Sequence, residues 1–540
     1  MTAPHSSQGS AMAETRTPQG SATGSTKAEY ASASSMFFAP CFDMENSSLM
    51  SGQTAVFDMS GIRYILITPP WKIKEDEKES NKIPLRPLAE GGQGITYLTT
   101  NPNVILKFAK KVGKLIPASS EGDFSDFHAR ISYVTSLAFP QGINITLPET
   151  LLRDYAGYRM PFLGGMVSLE DFFFGRQLVG ERPSNLPEGK GYDRIWRYLL
   201  SGGLKQRLNT AGRLSILLSK LHLHGISYGD ISQNNIFIPE DIEKPEIYLI
   251  DPDNLVENGD RHSVNIGTPP FRAPEICEGE CCTIFSDVFA FAMLVFNLIC
   301  DCHPFQGKAY KDSDLFYEEK ENPREFAWIL DPQDTSNQRK TFLPQGELLS
   351  NELLTLFWMT FTEGKDSPAE RPPLQLWPEY IFKEYDDLRL CSDCSCKMSL
   401  LPSKRSECPI CGKKYDGEME CSFFASHGNQ LVWRNRFAFS SLIQHCQVLC
   451  KRSWMPFDLD SHDVPQIEIR LNEGLVSFQK TSLASGKFWY SLAEYPEKEL
   501  TEGAISFKLE DVPNLSIRHE EQGIVRNMRC RLLSGGIYNG

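Results

Sequence analysis

The stretch that decides the fold is residues 222–255, HLHGISYGDISQNNIFIPEDIEKPEIYLIDPDNL. Two short apolar runs in it, at 236–238 and 247–250, predict the strands of a hairpin. Asn235 precedes the first strand and Asp251 follows the second, so the hairpin would bring both to one edge, near Asp230. Carboxylate and amide oxygens are the ligands that Mg²⁺ prefers in proteins. A further carboxylate beside them can orient a hydroxyl group and accept its proton.

The spacing of Asp230 and Asn235 is D-x-x-x-x-N, as in the catalytic loop of the protein-kinase template for phosphoryl transfer. With Asp251 after the second strand, the stretch resembles the catalytic core of the eukaryotic-like protein kinases. The resemblance implies that Asp230 acts on the acceptor hydroxyl, that Asn235 and Asp251 hold Mg²⁺, and that ATP is the phosphate donor.

A second motif, LAEGGQGITYL, is a glycine-rich turn between two strands. Such a turn lets backbone N–H groups approach phosphates that side chains would block. Gly91 and Gly94 match the last two positions of the kinase loop G-x-G-x-x-G, and Gly92 lies between them. Ala89 replaces the first glycine, which is a departure from the pattern. We expect ATP to lie against Gly91, Gly92 and Gly94.

Lys107 lies in the apolar strand VILKF, which resembles the kinase V-A-I-K pattern. Because burial of an unpaired ammonium is costly, Lys107 is expected to meet an anion, and nucleotide phosphate is the expected one. The family pairs this lysine with a glutamate on the next helix. The sequence predicts that helix at about residues 125–138, where Asp126 is present and glutamate is not, and Glu121 lies just before it. The sequence therefore assigns Lys107 no partner.

The segment GTPPFRAPE, which contains Thr268 and Glu275, resembles the kinase pattern G-T-x-x-[YF]-x-A-P-E. The resemblance places Thr268 beside the catalytic Asp230. It pairs Glu275 with a late arginine, for which Arg371 is the match. It also implies that Asp287, at the start of an apolar helix, holds the catalytic loop from below.

Three departures from the family pattern leave the function open. The His-Arg-Asp motif is Y-G-D at 228–230, the lysine two residues after the aspartate is Ser232, and Asp-Phe-Gly is D-P-D at 251–253. This combination resembles a bacterial branch of kinase-like proteins, which is associated with a von Willebrand-A protein and a PP2C-type phosphatase. Two readings stay open beside an active serine/threonine protein kinase: a pseudokinase scaffold that binds nucleotide or partners, and a kinase of small molecules.

Four cysteines predict a structural zinc ribbon. They form two C-x-x-C pairs, Cys391 with Cys394 and Cys408 with Cys411, separated by 13 residues. Each pair offers two thiolates within one turn, and together they complete the tetrahedral set that Zn²⁺ takes. Free thiols on a loop are the alternative.

After the four cysteines, the sequence pattern becomes typical of β-strands. Short apolar or alternating runs are separated by Gly, Asn and Pro, which predicts strands of a small β-sandwich or barrel. The runs lie at residues 430–433, 466–471, 475–478, 488–490 and 504–509. Because no catalytic constellation accompanies them, we interpret the region as a protein-interaction module.

The composition of the chain argues against a nucleic-acid-binding, membrane-spanning or secreted protein. The net charge of −14 argues against nucleic-acid binding, which needs a basic face. No apolar run reaches the ~18 residues expected of a membrane span, and no secretory signal is recognised at the N-terminus. The 15 cysteines are therefore expected to be reduced thiols and metal ligands in a cytoplasmic protein.

The sequence predicts an α+β, bilobal protein-kinase-like fold with a C-terminal zinc ribbon and a small all-β domain. The expected function is transfer of the ATP γ-phosphate to a hydroxyl of a protein substrate in a signalling system, with Mg²⁺ as cofactor and Zn²⁺ as structural metal. The expected domains are a disordered Ser/Thr/Ala-rich tail at 1–55, an N-lobe at 56–163, a C-lobe at 164–385, the zinc ribbon at 388–416 and the β-rich module at 417–540.

Overall fold

The computed structural model describes residues 55–533, apart from 78–82, 93, 176–188, 242–243, 245, 261–262, 264–265, 313–321, 341–347, 391–398, 401–417, 428–429, 441–445, 473 and 494. A sheet-based N-terminal lobe is followed by a largely helical lobe and then by a β-rich region. This succession confirms the predicted α+β class. Of the predicted tail at residues 1–55, residues 1–54 lie outside the described part of the chain, and Ala55 is the first residue of a strand.

The N-terminal lobe is an antiparallel sheet with one long helix beside it. Its elements are β1 (Ala55–Phe57), β2 (Arg63–Ile67), β3 (Ala89–Glu90), β4 (Gly94–Thr99), β5 (Val104–Lys111), β6 (Lys114–Leu115), α1 (Glu121–Ser136), β7 (Thr150–Leu151) and β8 (Gly157–Pro161). The strand order is β1-β2-β4-β5-β8-β7, with β3 beside β4 and β6 beside β5. The central strand β5 is buried at each of its residues 105–109, as expected of a strand covered on both faces.

The second lobe packs its helices around one large core. Its elements are β9 (Met166–Ser168), α2 (Lys190–Leu200), α3 (Gly203–Leu223), β10 (Ile226–Ser227), β11 (Ile236–Pro239), β12 (Tyr248–Leu249), β13 (Val256–Glu257), α4 (Pro274–Cys277), α5 (Ile284–Cys300), α6 (Lys308–Asp312), α7 (Asn351–Phe361), α8 (Glu363–Asp366) and α9 (Trp377–Asp386). The predicted hairpin is confirmed, because β11 and β12 pair with Phe237 opposite Tyr248.

Helix α5 is the centre of this core. A capping box starts it: Thr283 N–H donates to Ser286 Oγ at 2.9 Å, and Thr283 Oγ1 accepts from Ser286 N–H at 3.3 Å. Residues 288–296 are all buried, so the apolar run seen in the sequence is a core helix. Among the helices that the structure describes, none has both the length and the apolar character to cross a membrane.

The C-terminal region begins with a short hairpin, β14 (Arg389–Leu390) paired with β15 (Ser399–Leu400). Two antiparallel sheets follow. Their elements are β16 (Glu418–His427), β17 (Gln430–Ser440), β18 (Cys446–Cys450), α10 (Lys451–Trp454), β19 (Pro465–Asn472), β20 (Leu475–Lys480), β21 (Lys487–Leu492), β22 (Lys498–Glu499), β23 (Ile505–Lys508), β24 (Leu515–Glu521) and β25 (Ile524–Leu533).

The two sheets have the strand orders β17-β16-β25-β24-β21-β22 and β18-β19-β20-β23. Phe423 and Met528 of the first sheet share one buried core with Ile467 and Phe478 of the second. The region is therefore a β-sandwich, and the five strand runs predicted from the sequence lie in β17, β19, β20, β21 and β23. The other strands of the two sheets, β16, β18, β22, β24 and β25, were not predicted.

The sandwich is docked on the helical lobe by a buried charge cluster. Arg452 of α10 makes two hydrogen bonds to Asp386 of α9, at 2.8 and 2.7 Å, and a third bond to Asp463. Arg213 of α3 reaches the same Asp463 at 2.7 Å. Because Arg452 and Asp386 are each only 8% exposed at their side chains, this pair is largely shielded from solvent.

An aromatic contact lies beside that cluster. The ring of Phe382 packs on Phe457 and His462 of the sandwich side, with ring centroids 6.0 and 5.1 Å apart. On its other side, Phe382 lies so close to Gly212 of α3 that a Cβ there would be 2.6 Å from the ring. Gly212 therefore lets α9 approach α3 closely enough to carry the contact.

Candidate active site

The β11–β12 hairpin sets the geometry of the site. The pairing places the residue before β11 and the residues after β12 at the same end, and Ile250 N–H donates to Asn235 O at 2.9 Å. Tyr228 supports this end from beneath: its buried hydroxyl donates to the carbonyl of Ile250. The structure thus brings together Asp230, Asn235 and Asp251, which the sequence pattern placed at one edge.

Asp230 is held from three sides. Its Oδ1 accepts a 2.7 Å hydrogen bond from Thr268 Oγ1, and its Oδ2 accepts from Asn235 Nδ2 at 2.9 Å and from Asn254 Nδ2 at 3.4 Å. Because Asn235 turns its amide nitrogen to Asp230, the amide oxygen is the atom of Asn235 that can ligate a cation. The carboxylate of Asp230 is fixed in place without an ion pair to a lysine or arginine among the described residues.

The side chain of Asp287 holds the loop before Asp230 by bonding to backbone N–H groups of that loop. Its carboxylate accepts from Tyr228 N–H at 2.6 Å and Gly229 N–H at 2.9 Å, and lies 3.1 Å from His222 Nε2. Since Asp287 is buried in the first turn of α5, the loop is tied to the centre of the core.

Gly229 explains one departure from the family pattern. Its φ is +82°, and a Cβ there would lie 2.8 Å from the carbonyl oxygen of Asn254. A side chain at this position would push the loop away from the turn that follows Asp251. A second departure, Ser232, is buried, and its Oγ has no hydrogen-bond partner among the described residues.

The glycine-rich turn lies between β3 and β4. Gly91 N–H donates to Gly94 O at 2.9 Å, which closes the turn. A Cβ at Gly94 would be 3.1 Å from both Lys107 Cε and the carbonyl oxygen of Phe108, so a larger residue would require these neighbours to shift by a few tenths of an ångström. A Cβ at Gly91 or Gly92 would meet open space, which leaves the outer face of the turn accessible.

Lys107 of β5 is buried and lies between two carboxylates. Its Nζ bonds to Asp251 Oδ1 and, at 2.7 Å, to Asp253 Oδ2. Burial disfavours the ammonium form, but the charges of Asp253 and Asp251 outweigh burial and raise the pKa of Lys107. Burial also raises the pKa of Asp251, against the opposing charge of Lys107.

Helix α1 begins at Glu121, four residues earlier than the sequence suggested, so Glu121 belongs to the helix. Neither Glu121 nor Asp126 is among the described partners of Lys107. The helix contributes a cation to the site instead: Arg130 Nε donates to Asp253 O at 2.9 Å, and its Nη2 donates to Leu255 O at 3.0 Å.

The segment after the site is fixed by two further contacts. Arg371 makes a two-pronged ion pair with Glu275, at 2.6 and 2.8 Å, in a fully buried position. His303 lies 2.8 Å from the carbonyl oxygen of Pro270 through Nε2, and its Nδ1 accepts from Phe305 N–H at 3.2 Å. Burial lowers the pKa of His303 to about 4, so a neutral ring with a proton on Nε2 satisfies both bonds.

The residue set suits phosphate chemistry with a divalent cation. Asp230, Asp251 and Asp253 bring three carboxylates to one place, where Lys107 is the described lysine that pairs with two of them. A hard divalent cation at Asp251 and Asn235 would offset the surplus negative charge with the oxygen ligands that it prefers. The site therefore fits Mg²⁺.

A family comparison agrees with this geometry. Residues 206–361 match the family model described as the protein kinase domain. This segment of the chain is therefore similar to a protein kinase domain. The matched part includes Asp230, Asn235 and Asp251, whereas Lys107 and Arg371 lie outside it.

The proteins to which the chain is similar include several serine/threonine-protein kinases. The chain is 28% identical over 136 residues to the DNA damage-responsive serine/threonine-protein kinase RqkA of Deinococcus radiodurans, which is 25% of this chain and 19% of that protein. It is 26% identical over 231 residues to the serine/threonine-protein kinase pkn2 of Myxococcus xanthus, 41% of this chain and 25% of that protein. It is 26% identical over 132 residues to the probable serine/threonine-protein kinase 2 of Plasmodium falciparum, 22% of this chain and 26% of that protein. The chain thus spans about a quarter or less of each of these relatives.

Three residues of the candidate site were not singled out from the sequence: Arg130, Tyr158 and Asp253. Tyr158 OH donates to Asp253 Oδ1 at 2.6 Å, beside Lys107. The second aspartate of the D-P-D motif was a usable signal, because the helix predicted at about residues 125–138 contains no glutamate and leaves Lys107 in need of another anion. Arg130 and Tyr158 gave no signal, because their roles depend on how α1 and β8 pack against the turn after Asp251.

The four cysteines of the predicted zinc ribbon, Cys391, Cys394, Cys408 and Cys411, lie outside the described residues. Within the described part of the chain, no cluster of three or more His, Cys, Asp or Glu side chains is placed to hold a metal ion, and Asp230, Asp251 and Asp253 together do not form one. The fit to Mg²⁺ therefore rests on the oxygen atoms of Asp251 and Asn235.

Proposed function

We propose that the chain is an ATP- and Mg²⁺-dependent serine/threonine protein kinase, which transfers the γ-phosphate of ATP to a hydroxyl of a protein substrate. The observation that carries the proposal is the fixed position of Asp230 between Thr268 and Asn235, next to Lys107 and Asp251. A carboxylate held in this way can orient a substrate hydroxyl and accept its proton.

In this proposal each residue has a defined task. Lys107 binds the phosphates of ATP, which lie under the turn that contains Gly91, Gly92 and Gly94. Asn235 and Asp251 are the residues that would hold Mg²⁺, which supplies neutralisation of phosphate charge when bound. The substrate oxygen bonds to the γ-phosphorus while the bond to the β–γ bridging oxygen breaks.

Asp230 acts on the other partner of the reaction. It takes the proton that leaves the hydroxyl, and Thr268 keeps its carboxylate in position through the 2.7 Å hydrogen bond. Thr268 and Glu275 belong to the segment that would receive the protein substrate. Arg371, which lies outside this segment, fixes its far end in the core through the ion pair with Glu275.

Paired aspartate variants test the proposal. Asp230→Asn is expected to keep Mg-ATP binding and to lower the transfer rate by about 10²–10⁴-fold, the usual contribution of a general base. Asp251→Asn is expected to weaken Mg-ATP binding as well, because it removes a cation ligand. Asp241→Asn, at an exposed aspartate beyond the other end of β11, is the matched control. Measurements are transfer of labelled phosphate and titration of Mg-ATP binding.

Equal Mg-ATP binding by the parent protein and both variants, with no phosphate transfer by any of them, would support the pseudokinase scaffold instead. Transfer to free small molecules and not to any protein would support the third reading. The resemblance to the bacterial branch further suggests a PP2C-type phosphatase and a von Willebrand-A protein as partners, which co-purification from the native cell tests.

We also propose a structural Zn²⁺ bound by Cys391, Cys394, Cys408 and Cys411. The spacing of the two C-x-x-C pairs supports it. A second support is the β14–β15 hairpin, since Leu390 pairs with Ser399 and the first cysteine pair lies in the connection between them.

A further inference from the structure

The buried ammonium of Lys107 has two carboxylate partners, although one carboxylate would balance its charge. Asp251 is the partner that the proposed function assigns to Mg²⁺. Asp253 is the other, and its Oδ2 lies 2.7 Å from Lys107 Nζ. The side chain of Asp253 is 20% exposed, compared with 34% for Asp251, so Asp253 is the more enclosed of the two.

Asp253 is held on its second oxygen by Tyr158. The Tyr158 hydroxyl donates to Asp253 Oδ1 at 2.6 Å, from a fully buried position on β8. Burial, with the added charge of Asp253, raises the pKa of Tyr158 well above its usual value, so the hydroxyl keeps its proton and remains a donor. One carboxylate oxygen therefore faces Tyr158 and the other faces Lys107.

The backbone of Asp253 is fixed as well. Pro252 is buried and opens a 3-10 turn over Pro252–Asn254. Arg130 of α1 donates to the carbonyl oxygen of Asp253, inside this turn, and to that of Leu255, directly after it. Asp253 thus cannot move away from Lys107 without breaking contacts to β8 and to α1.

We propose that Asp253 is the positioning residue for Lys107, the fixed counter-ion that keeps the ammonium in place while Asp251 engages the divalent cation. The inference rests on the proposed function, because it presumes that Lys107 receives the phosphates. It gives α1 a different task from the one expected by resemblance. The helix locks the turn that carries the carboxylate, through Arg130, and does not supply the carboxylate itself.

Electrostatics favours this division of tasks. A buried ammonium needs a permanent anionic partner, because its desolvation is costly. When Asp251 bonds a divalent cation, its negative charge is no longer available to Lys107. Asp253 remains, since Tyr158 and Lys107 occupy its two oxygens.

The first test measures Lys107 itself and needs no catalysis. The full chain and its Asp253→Asn variant are treated with a small amine-acylating reagent over a range of pH, and modification of Lys107 is followed by mass spectrometry. Loss of the carboxylate that holds Lys107 Nζ at 2.7 Å is expected to leave the amine less restrained and to raise its modification by about tenfold. Asp126→Asn, an exposed aspartate on α1, is expected to leave the profile unchanged.

The second test separates positioning from metal binding. In Asp253→Asn, kcat is expected to fall by about tenfold or more, equal to ~1.4 kcal/mol in the barrier, while the Mg²⁺ concentration for half-maximal rate stays as in the parent protein. Tyr158→Phe keeps the carboxylate and removes one hydrogen bond, so a smaller fall in kcat is expected. Far-ultraviolet circular dichroism checks that both variants are folded.

Two outcomes overturn the inference. An unchanged Lys107 modification profile in folded Asp253→Asn would show that Asp253 is not its counter-ion. A raised Mg²⁺ requirement, with the rate restored at high Mg²⁺, would make Asp253 a metal ligand. If the parent protein transfers no phosphate, the proposed function fails, and the modification profile still decides whether Asp253 controls Lys107.

Discussion

The α-carbon of Gly229 lies against the carbonyl oxygen of Asn254, at a separation that leaves no room for a side chain. A Cβ on Gly229 would be 2.8 Å from that oxygen, and the residue has a φ of +82°. This contact joins the loop that carries Asp230 to the turn that carries Asp253. The site is thus built on two backbone segments packed directly on each other.

Gly229→Ala is expected to lose both stability and phosphate transfer. Alanine in the left-handed region costs about 1–2 kcal/mol, and the contact with Asn254 adds to this because the loop must move. Gly225→Ala is the matched control, since Gly225 has a φ of +71° and open space around it. Urea unfolding and transfer rate are the measurements. Equal losses in the two variants would show that the contact with Asn254 is unimportant.

Phosphorylation of the segment after Asp251 is expected not to control activity. Gly229 takes the place of the arginine that in many kinases binds a phosphorylated loop. Ser263 is buried, its Oγ donates to Asp260 O at 2.5 Å, and it accepts from Cys282 N–H at 2.9 Å. Phosphatase treatment and Ser263→Ala are therefore expected to change the transfer rate by less than about twofold, under 0.5 kcal/mol.

Ser263→Glu is expected to lower the rate, because it buries a charge at a satisfied position. Control of activity would then come from the N-terminal tail, the C-terminal modules or a partner protein. A tenfold loss after dephosphorylation, about 1.4 kcal/mol, restored when Ser263 is rephosphorylated, would refute this prediction.

The ion pair of Glu275 and Arg371 is expected to be a major stabilising contact. Glu275→Gln leaves the buried Arg371 guanidinium with an uncompensated charge, so the free energy of unfolding should fall by about 3–5 kcal/mol. Glu278→Gln removes one of the two carboxylate partners of Arg324, in a more exposed ion pair, and should cost about 1 kcal/mol or less. Denaturant unfolding of both variants gives the comparison. Similar small losses would mean that solvent reaches the Glu275 pair.

Glu384 is expected to make stability fall as pH rises. Burial raises the pKa of Glu384 to about 8, against opposing hydrogen bonds from Ser350. Between its ordinary value of 4.5 and about 8, the folded state holds a proton that the unfolded state has released, so this group lowers the free energy of unfolding as pH increases. The slope is at most about 1.4 kcal/mol per pH unit.

Glu384→Gln removes this titration, so the stability of the variant relative to the parent protein should rise between pH 5 and pH 8. Glu379→Gln, at an exposed glutamate of the same helix, is the control and should show a constant difference. Urea unfolding at several pH values tests the prediction. A difference that stays constant with pH for Glu384→Gln would contradict it.

The zinc proposal predicts about one tightly held Zn²⁺ per chain in protein purified under reducing conditions. Chelation is expected to leave nucleotide binding intact, because the four cysteines lie beyond the helical lobe. Replacing Cys408 and Cys411 by serine should abolish the metal. Elemental analysis that finds no zinc in the parent protein would end the proposal.

The sequence predicted those features of the molecule that depend on local residue patterns. The D-x-x-x-x-N spacing placed Asp230 and Asn235 at the end of a hairpin, and a run of apolar residues predicted helix α5. The sequence did not predict the contacts of Tyr158 or Arg130, because these contacts depend on how β8 and α1 pack on the turn after Asp251. Spacing within one segment carries no information about such packing.

The same limit applies to the β-rich region. Strands β19 and β20 have clear apolar alternation and were predicted, whereas β16 and β25 were not. Residues such as Cys421 and Cys530 face each other in β16 and β25, 109 positions apart in sequence. Pairing at that separation is decided by the assembled core.

The contact of Phe382 with Phe457 and His462 has a practical meaning for anyone who expresses this protein in pieces. A fragment that stops near residue 388 would keep Phe382 and Asp386 but lose Arg452 and both aromatic partners. In that fragment the ring of Phe382 would be exposed to solvent and the carboxylate of Asp386 would lose its partner, although both are buried in the intact chain. The domain boundary predicted near residue 388 therefore separates side chains that pack against each other. A fragment of the two lobes alone would need residues 451–464, or substitutes for them, to cover this surface.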